Sequence, residues 1–194
     1  MTQQPNLLAV HWSTIPAPAD DGAMAHLTGT RLPAVQLDGT HGVAVTLSAV
    51  PSRAVVYGYP MTGQPGVALP DGWDELPGAR GCTPQSCAFR DHHAELQAAG
   101  AGAVYGLSTQ DTAYQREMAE RLHLPFPVLS DAKLKLATAA RFPTMKVAGQ
   151  ALLKRFALVL DDGLITKVFY PVFPPDRNAG DVLAWLRANP RHKD

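Results

Sequence analysis

The sequence predicts an α/β protein, a central mixed sheet flanked by helices on both faces. Three observations carry that expectation. Short β-branched and aromatic runs, Arg53–Pro60 and Ala103–Ser108 among them, alternate with helix-length segments, as strands joined by crossover helices do. Aspartate-glycine pairs at Asp38-Gly39 and Asp162-Gly163 mark hairpins near the two ends, which give such a sheet antiparallel strands. A chain of 194 residues, 46% of them hydrophobic, suffices for one well-buried core.

The elements follow in order. Residues 1–25, rich in proline, alanine and aspartate, lack periodicity and read as an N-terminal arm, with the domain over 26–194. Leu32–Leu47 alternates about Asp38-Gly39 and Thr40-His41-Gly42, predicting an N-terminal hairpin extension. Arg53–Pro60 is a buried strand stopped by proline. Met61–Gly81, dense in glycine and proline, reads as loop. Thr83-Pro84 opens a helix, because proline's missing N–H would have no partner in a first turn; Gly100 closes it. Ala103–Ser108 is a second buried strand. Thr109 and Asp111 cap a helix with Tyr114, Met118 and Leu122 on one face. Phe126–Asp131 contains a short strand, and Asp131 caps a helix over 132–142. Arg155–Pro171 forms two strands about Asp162-Gly163, and a last helix runs Asp176–Asn189.

Composition narrows the function. Seventeen basic residues balance seventeen acidic ones, so no basic field points to nucleic acid or to an anionic membrane. No apolar run approaches the roughly twenty residues that a bilayer requires. The first residues lack the basic and apolar regions of a secretory signal. A cytoplasmic protein is expected.

The chain has two cysteines, Cys82 and Cys87, within "GCTPQSCAFRD". On an ideal helix that spacing separates the Cα atoms by about 8.6 Å, beyond the roughly 7 Å that a disulfide tolerates. The pair cannot bond while both residues are helical, but can if the first turn unwinds. Cys82 sits where unsatisfied N–H groups favour an anion, and a thiolate is the nucleophilic form of cysteine. Cys87, a turn deeper, suits a thiol that condenses with a sulfenic acid on Cys82. Two other readings stay open: inert core cysteines, or a zinc site with His92 and His93. Adjacent helical histidines point about 100° apart, which disfavours a shared ion.

With "YP", "GCTPQSCAFRD", "AVYGLSTQD", "LHLPFPVLSD" and "RFALVLDDG" in that order, the sequence resembles the peroxiredoxins, in particular their bacterioferritin-comigratory, or peroxiredoxin Q, subfamily. The resemblance runs from about Leu32 to Asn189. It implies a thioredoxin-like fold and a thiol peroxidase for hydrogen peroxide and organic hydroperoxides. A thioredoxin-like reductant would regenerate the enzyme without metal or cofactor, and the chain would be a monomer or weak homodimer. Cys82 matches the peroxidatic cysteine, Cys87 the resolving cysteine and Arg155 the active-site arginine, with Arg80 as a rival cation. The family's proline and threonine upstream of the reactive cysteine are displaced: their places hold Glu75 and Ala79. Tyr59-Pro60 and Thr62 lie earlier, so Gly63–Gly81 reads as an insertion. If it loops out, Pro60 and Thr62 return to Cys82; otherwise Thr83 is the available hydroxyl. The insertion's Val67, Leu69, Trp73 and Leu76 seek burial, as in a lid or a packed surface excursion. Two other functions remain: a disulfide oxidoreductase on this fold, opposed by the missing C-x-x-C, and a non-enzymatic redox sensor.

Overall fold

The computed structural model describes residues 10–191. Its frame is a seven-stranded mixed sheet in the order β2-β1-β5-β4-β3-β8-β9. Strands β3 (Arg53–Gly58), β4 (Ala103–Ser108) and β5 (Val128–Ser130) run parallel at its centre. The hairpin β1 (Gln36–Gly39) and β2 (Ala44–Thr46) adds antiparallel to β5, and the hairpin β8 (Phe156–Asp161) and β9 (Leu164–Phe169) adds antiparallel to β3. The second hairpin turns at its aspartate-glycine pair; in the first, Asp38 and Gly39 lie within β1 and the turn follows at Thr40-His41-Gly42. At the second, Asp162 (φ 49°) and Gly163 (φ 80°) are left-handed, and a Cβ on Gly163 would lie 2.2 Å from the Ser48 carbonyl.

Helices cover both faces. On one lie α1 (Cys82–Asp91), α2 (His93–Ala98), α3 (Thr112–Arg121) and α5 (Asn178–Ala188), packed over Val55, Tyr57, Val104, Val128 and Val159. The other face carries α4 (Lys135–Ala140) together with Met24, Leu27 and Leu32. Two strand-helix-strand steps in one direction, β3 to β4 to β5, put their connecting helices on the same side, as right-handed crossovers require.

Several expectations change. The helix expected from Thr83 to Gly100 is two, broken at His92, and it starts at Cys82. Helix α4 begins at Lys135, although Asp131 still caps it through the N–H groups of Leu136 and Ala137. On α3, Met118 and, at its end, Leu122 are buried as expected, joined by Gln115 and Ala119, while Tyr114 lies only half-buried at the edge. A further hairpin, β6 (Thr144–Val147) and β7 (Gln150–Leu153), stands apart from the main sheet. Its turn has a left-handed alanine, Ala148 (φ 47°), where Asn or Asp would have signalled it.

The N-terminal arm, expected over 1–25, is docked from Trp12 onward; residues 1–9 lie outside the described residues. Trp12 packs edge-on against Phe173, and its indole N–H donates to Asp176 Oδ2 at 2.8 Å. Asp21 accepts from Lys154 and from Tyr170, and these bonds hold its carboxyl down at about 2. Met24 and Leu27 are already core residues.

Candidate active site

The site forms where β3 ends, β8 begins and α1 starts. Gly58 pairs with Phe156 in the β3–β8 register, which brings Arg155, just before β8, beside the chain leaving β3. The parallel strands β3 and β4 point their carboxyl ends at this corner, where open α/β sheets commonly place ligands. Gly81 caps α1 with φ 103°, and a Cβ there would lie 2.7 Å from both Trp12 and Pro175. Glycine therefore lets the helix start directly beneath the arm.

Cys82 is the first residue of α1 and is 4% exposed. Arg155, 2% exposed, donates from Nη2 to Cys82 Sγ at 3.2 Å. The same nitrogen lies near the carbonyls of Gly78, Ala79 and Arg80, at 3.1–3.2 Å, and Nη1 donates to Gln85 Oε1. Gln85 in turn donates from Nε2 to Asn178 Oδ1 at 2.9 Å, so α1, α5 and Arg155 are tied by one buried amide pair. The chemistry lies in what is missing from this list. Arg155 belongs to none of the ion pairs among the described residues. Its neighbours are neutral dipoles and one sulfur, and a buried cation without a counter-charge is costly. The group that can supply the charge is Cys82, as a thiolate.

The rival cation, Arg80, is occupied. It pairs with Asp74 at the surface, and both line the cavity over Cys82. That cavity is small, about 70 Å³, with Met61, Thr62, Leu69, Trp73, Cys82 and Thr83 in its wall. At about 30 Å³ per water-sized group it admits two oxygens side by side.

Thr62 does return to Cys82. It is 1% exposed in the same cavity, its hydroxyl donates to Gln110 Oε1 at 3.3 Å, and its carbonyl accepts from Tyr114 at 2.9 Å. Thr83, also buried, lines the same cavity. Pro60 is buried at the end of β3, outside the cavity wall. The insertion loops out as a folded unit: Trp73 is buried, Leu69 and Leu76 are partly covered, and Val67 stays 58% exposed.

Cys87 lies on the same helix, half-buried, and both cysteines are free thiols. Burial pushes the Cys87 thiol up, with Arg90 pulling against it, so it rests protonated while α1 is intact. The core half of α1 is firmly held. Phe89 stacks on Tyr57 with centroids 4.3 Å apart, and Tyr57 donates to Ser86 Oγ at 3.1 Å. The first turn is buried as well: Cys82 belongs to the same core, and Gln85 is held by Arg155 and Asn178. Among the described residues, no three Cys, His, Asp or Glu side chains gather as a metal site would need, so the zinc alternative gains no support.

Sequence reasoning missed Gln85, Asn178, Gln110 and Tyr114 as members of the site. Gln85 and Asn178 carried one faint signal, an amide on the buried face of a helix.

Comparison with known proteins shows the family. The redoxin family model matches residues 27–183, and the chain belongs to that family. Within it, the chain is a member of the peroxiredoxin Q group. Its relatives include the chloroplastic peroxiredoxin Q of Oryza sativa subsp. japonica, 33% identical over 162 residues, 82% of this chain and 66% of the rice protein. That of Sedum lineare is 31% identical over 82% of this chain and 77% of its own length. The chain thus spans 66% of the length of the rice relatives. Among solved structures, peroxidoxin BcpB from Mycobacterium tuberculosis superposes with a TM-score of 0.68 at 27% identity, covering 85% of this chain and 99% of that one. A Xanthomonas campestris peroxiredoxin Q shares the fold, with a TM-score of 0.65 at 23% identity over 84% of this chain and 98% of that one.

Proposed function

We propose that this protein is a thiol-dependent peroxidase for hydrogen peroxide and organic hydroperoxides, with Cys82 as nucleophile and Cys87 as resolving thiol. The observation that carries it is a buried guanidinium 3.2 Å from Cys82 Sγ that no carboxylate among the described residues pairs with. The Cys82 thiolate attacks the terminal oxygen of ROOH and the O–O bond breaks. The sulfur becomes a sulfenic acid, and the leaving RO⁻ takes a proton and departs as water or alcohol. Arg155 stabilises the anion before attack; Thr83 lines the cavity, and Thr62 can donate to a peroxide oxygen once its hydroxyl turns from Gln110.

Resolution requires the first turn of α1 to open, because its Cα atoms at 82 and 87 are about 8.6 Å apart in ideal geometry. Opening gives up the core packing of Cys82 and the buried Arg155–Gln85–Asn178 bonds, while Phe89 and Ser86 keep the second half of α1 on Tyr57. Opening also releases Cys87 from the burial that keeps it protonated. Its sulfur attacks the sulfenic sulfur, water leaves, and an external dithiol of the thioredoxin kind reduces the bond. The cycle needs a compartment that keeps dithiols reduced, the cytoplasm in this reading.

Stopped-flow mixing of the reduced protein with peroxide tests the proposal. The expected result is rapid loss of the Cys82 thiol, multiple turnover under a dithiol reductant, and neither in Cys82→Ser. Oxidation without turnover would favour a sensor. No reaction with peroxide would favour a disulfide oxidoreductase.

A further inference from the structure

Between Trp12 and Pro18 the N-terminal arm is half-buried at every third residue, Trp12, Ile15 and Pro18, so one edge of it lies against the domain. Two of those three meet the segment that leads into α1. A Cβ on Gly78 would lie 3.6 Å from Pro18, and one on Gly81 would lie 2.7 Å from Trp12. That segment supplies the carbonyls of Gly78, Ala79 and Arg80 that accept from Arg155 Nη2. The arm is pinned at both ends. Trp12 donates to Asp176, in the turn Pro175–Arg177 just before α5, and Asp21 accepts at 2.7 Å from Lys154, the neighbour of Arg155.

Gly81 is the point of leverage. Its carbonyl accepts the first hydrogen bond of α1, from the Gln85 N–H at 3.0 Å, and its left-handed φ of 103° turns the chain into the helix. Opening the first turn breaks that bond and swings the backbone at Gly81. Trp12 and Pro175 both stand on the face of Gly81 where a Cβ would be, so the arm's contacts belong to the closed helix. We infer that Trp12 is a positioning residue for the resolution step: it holds Gly81, and with it the first turn of α1, so that Cys82 reaches Cys87 only when the arm lifts. The inference rests on the peroxidase reading and adds a control on its second step. In that step the Cys87 sulfur attacks the sulfenic sulfur, an S–S bond forms, the S–OH bond breaks, and the hydroxide leaves as water with the Cys87 proton. A contact that favours the closed turn slows this step by the part of it lost on opening. By the same coupling, a disulfide that fixes the open turn loosens the arm.

Rapid quench after one equivalent of peroxide, read by intact mass, separates the two steps, since the sulfenic acid carries an added oxygen and the disulfide lacks two hydrogens. Trp12→Ala removes a hydrogen bond and an aromatic contact, each worth about two- to tenfold. Disulfide formation should become about tenfold faster, with oxidation of Cys82 within about twofold of native. Trp12→Phe, which keeps an aromatic ring at that seat, should return most of the way to the native rate. Unchanged disulfide formation in Trp12→Ala, or a fall in both rates together, overturns the inference. The native protein gives a second reading. Chymotrypsin cleavage after Trp12 should be at least about tenfold faster once diamide, which takes up the two thiol hydrogens, has joined Cys82 to Cys87. Equal cleavage in the reduced and joined forms counts against the inference. Diamide needs no peroxide, so this reading stands apart from catalysis; failure of the native protein to consume any peroxide overturns the peroxidase reading instead.

Discussion

Two buried arginines stand at opposite ends of the same strand pair. Arg53 opens β3 and is 4% exposed; Arg155 precedes β8 and is 2% exposed. Arg53 meets its register partner Asp161 with two hydrogen bonds, Nε to Oδ1 at 2.8 Å and Nη2 to Oδ2 at 3.0 Å, and donates a third to the Asn189 carbonyl at 2.6 Å. Its plane also lies over Trp185. Arg155 makes more hydrogen bonds, five against three, but to neutral carbonyls, an amide and a sulfur. The first arginine is neutralised and serves the fold. At the second, in the proposed function, the missing negative charge is left for a thiol to supply, and the same residue type would serve chemistry. Burial and hydrogen-bond count do not separate the two roles; the sign of the partner does.

That contrast breaks most visibly at Arg155. Arg155→Gln is expected to slow the reaction of the reduced protein with peroxide by about 100- to 1,000-fold. Its stability should move by less than about 1.5 kcal/mol, because one buried charge is relieved while several carbonyls lose a donor. Chemical denaturation beside stopped-flow oxidation reads both quantities. Arg53→Gln should do the reverse. It leaves Asp161 unpaired with 21% of its side chain in water, at an expected cost of about 2–3 kcal/mol, somewhat below that for a fully buried pair. The oxidation rate of the folded protein should hold within about twofold, since Arg53 lies at the far end of the strand from Cys82.

Two smaller effects sharpen the picture. Gln85→Leu removes the acceptor for Arg155 Nη1 and the bond to Asn178, leaving the guanidinium less well placed; peroxide oxidation should slow about tenfold. An equal rate would mean that the backbone carbonyls alone position Arg155. At the other end, the Arg53 hydrogen bonds hold the Asp161 carboxyl below its ordinary range. A carboxylate lowered on folding adds stability above its unfolded value, and that part is lost as pH falls through the folded one. Asp161→Asn should therefore flatten the acid limb of the stability curve between about pH 5 and pH 2, measured by denaturation at each pH.

The sequence disclosed these features unevenly, for physical reasons. The β3, β4 and β8–β9 strands were legible because burial on both faces demands continuous apolar runs and Asp162-Gly163 demands a left-handed turn. The break at His92 carried no glycine or proline and left no local mark, and the β6–β7 turn, Ala148-Gly149, left only its glycine because an alanine stands where Asn or Asp would have signalled it. In the site, helix geometry exposed the awkward spacing of Cys82 and Cys87. Arg155 entered only through the family resemblance, because nothing local distinguishes an arginine before a strand from a solvated one. Gln85 and Asn178 were hidden because their roles depend on each other across α1 and α5. Thr62 depended on how far the insertion looped out, a tertiary question settled by the burial of Trp73 and its neighbours.

The account turns on Arg155 acting upon the sulfur itself, apart from any contact with peroxide oxygens. Alkylation by iodoacetamide, which offers no peroxide bond, isolates that effect, and a Cys87→Ser background leaves one thiol to follow. At neutral pH, Cys82 in Arg155→Gln should alkylate at least about tenfold more slowly than with Arg155 present. Equal rates in the two proteins would mean that the guanidinium does not hold the thiolate, and would contradict the account.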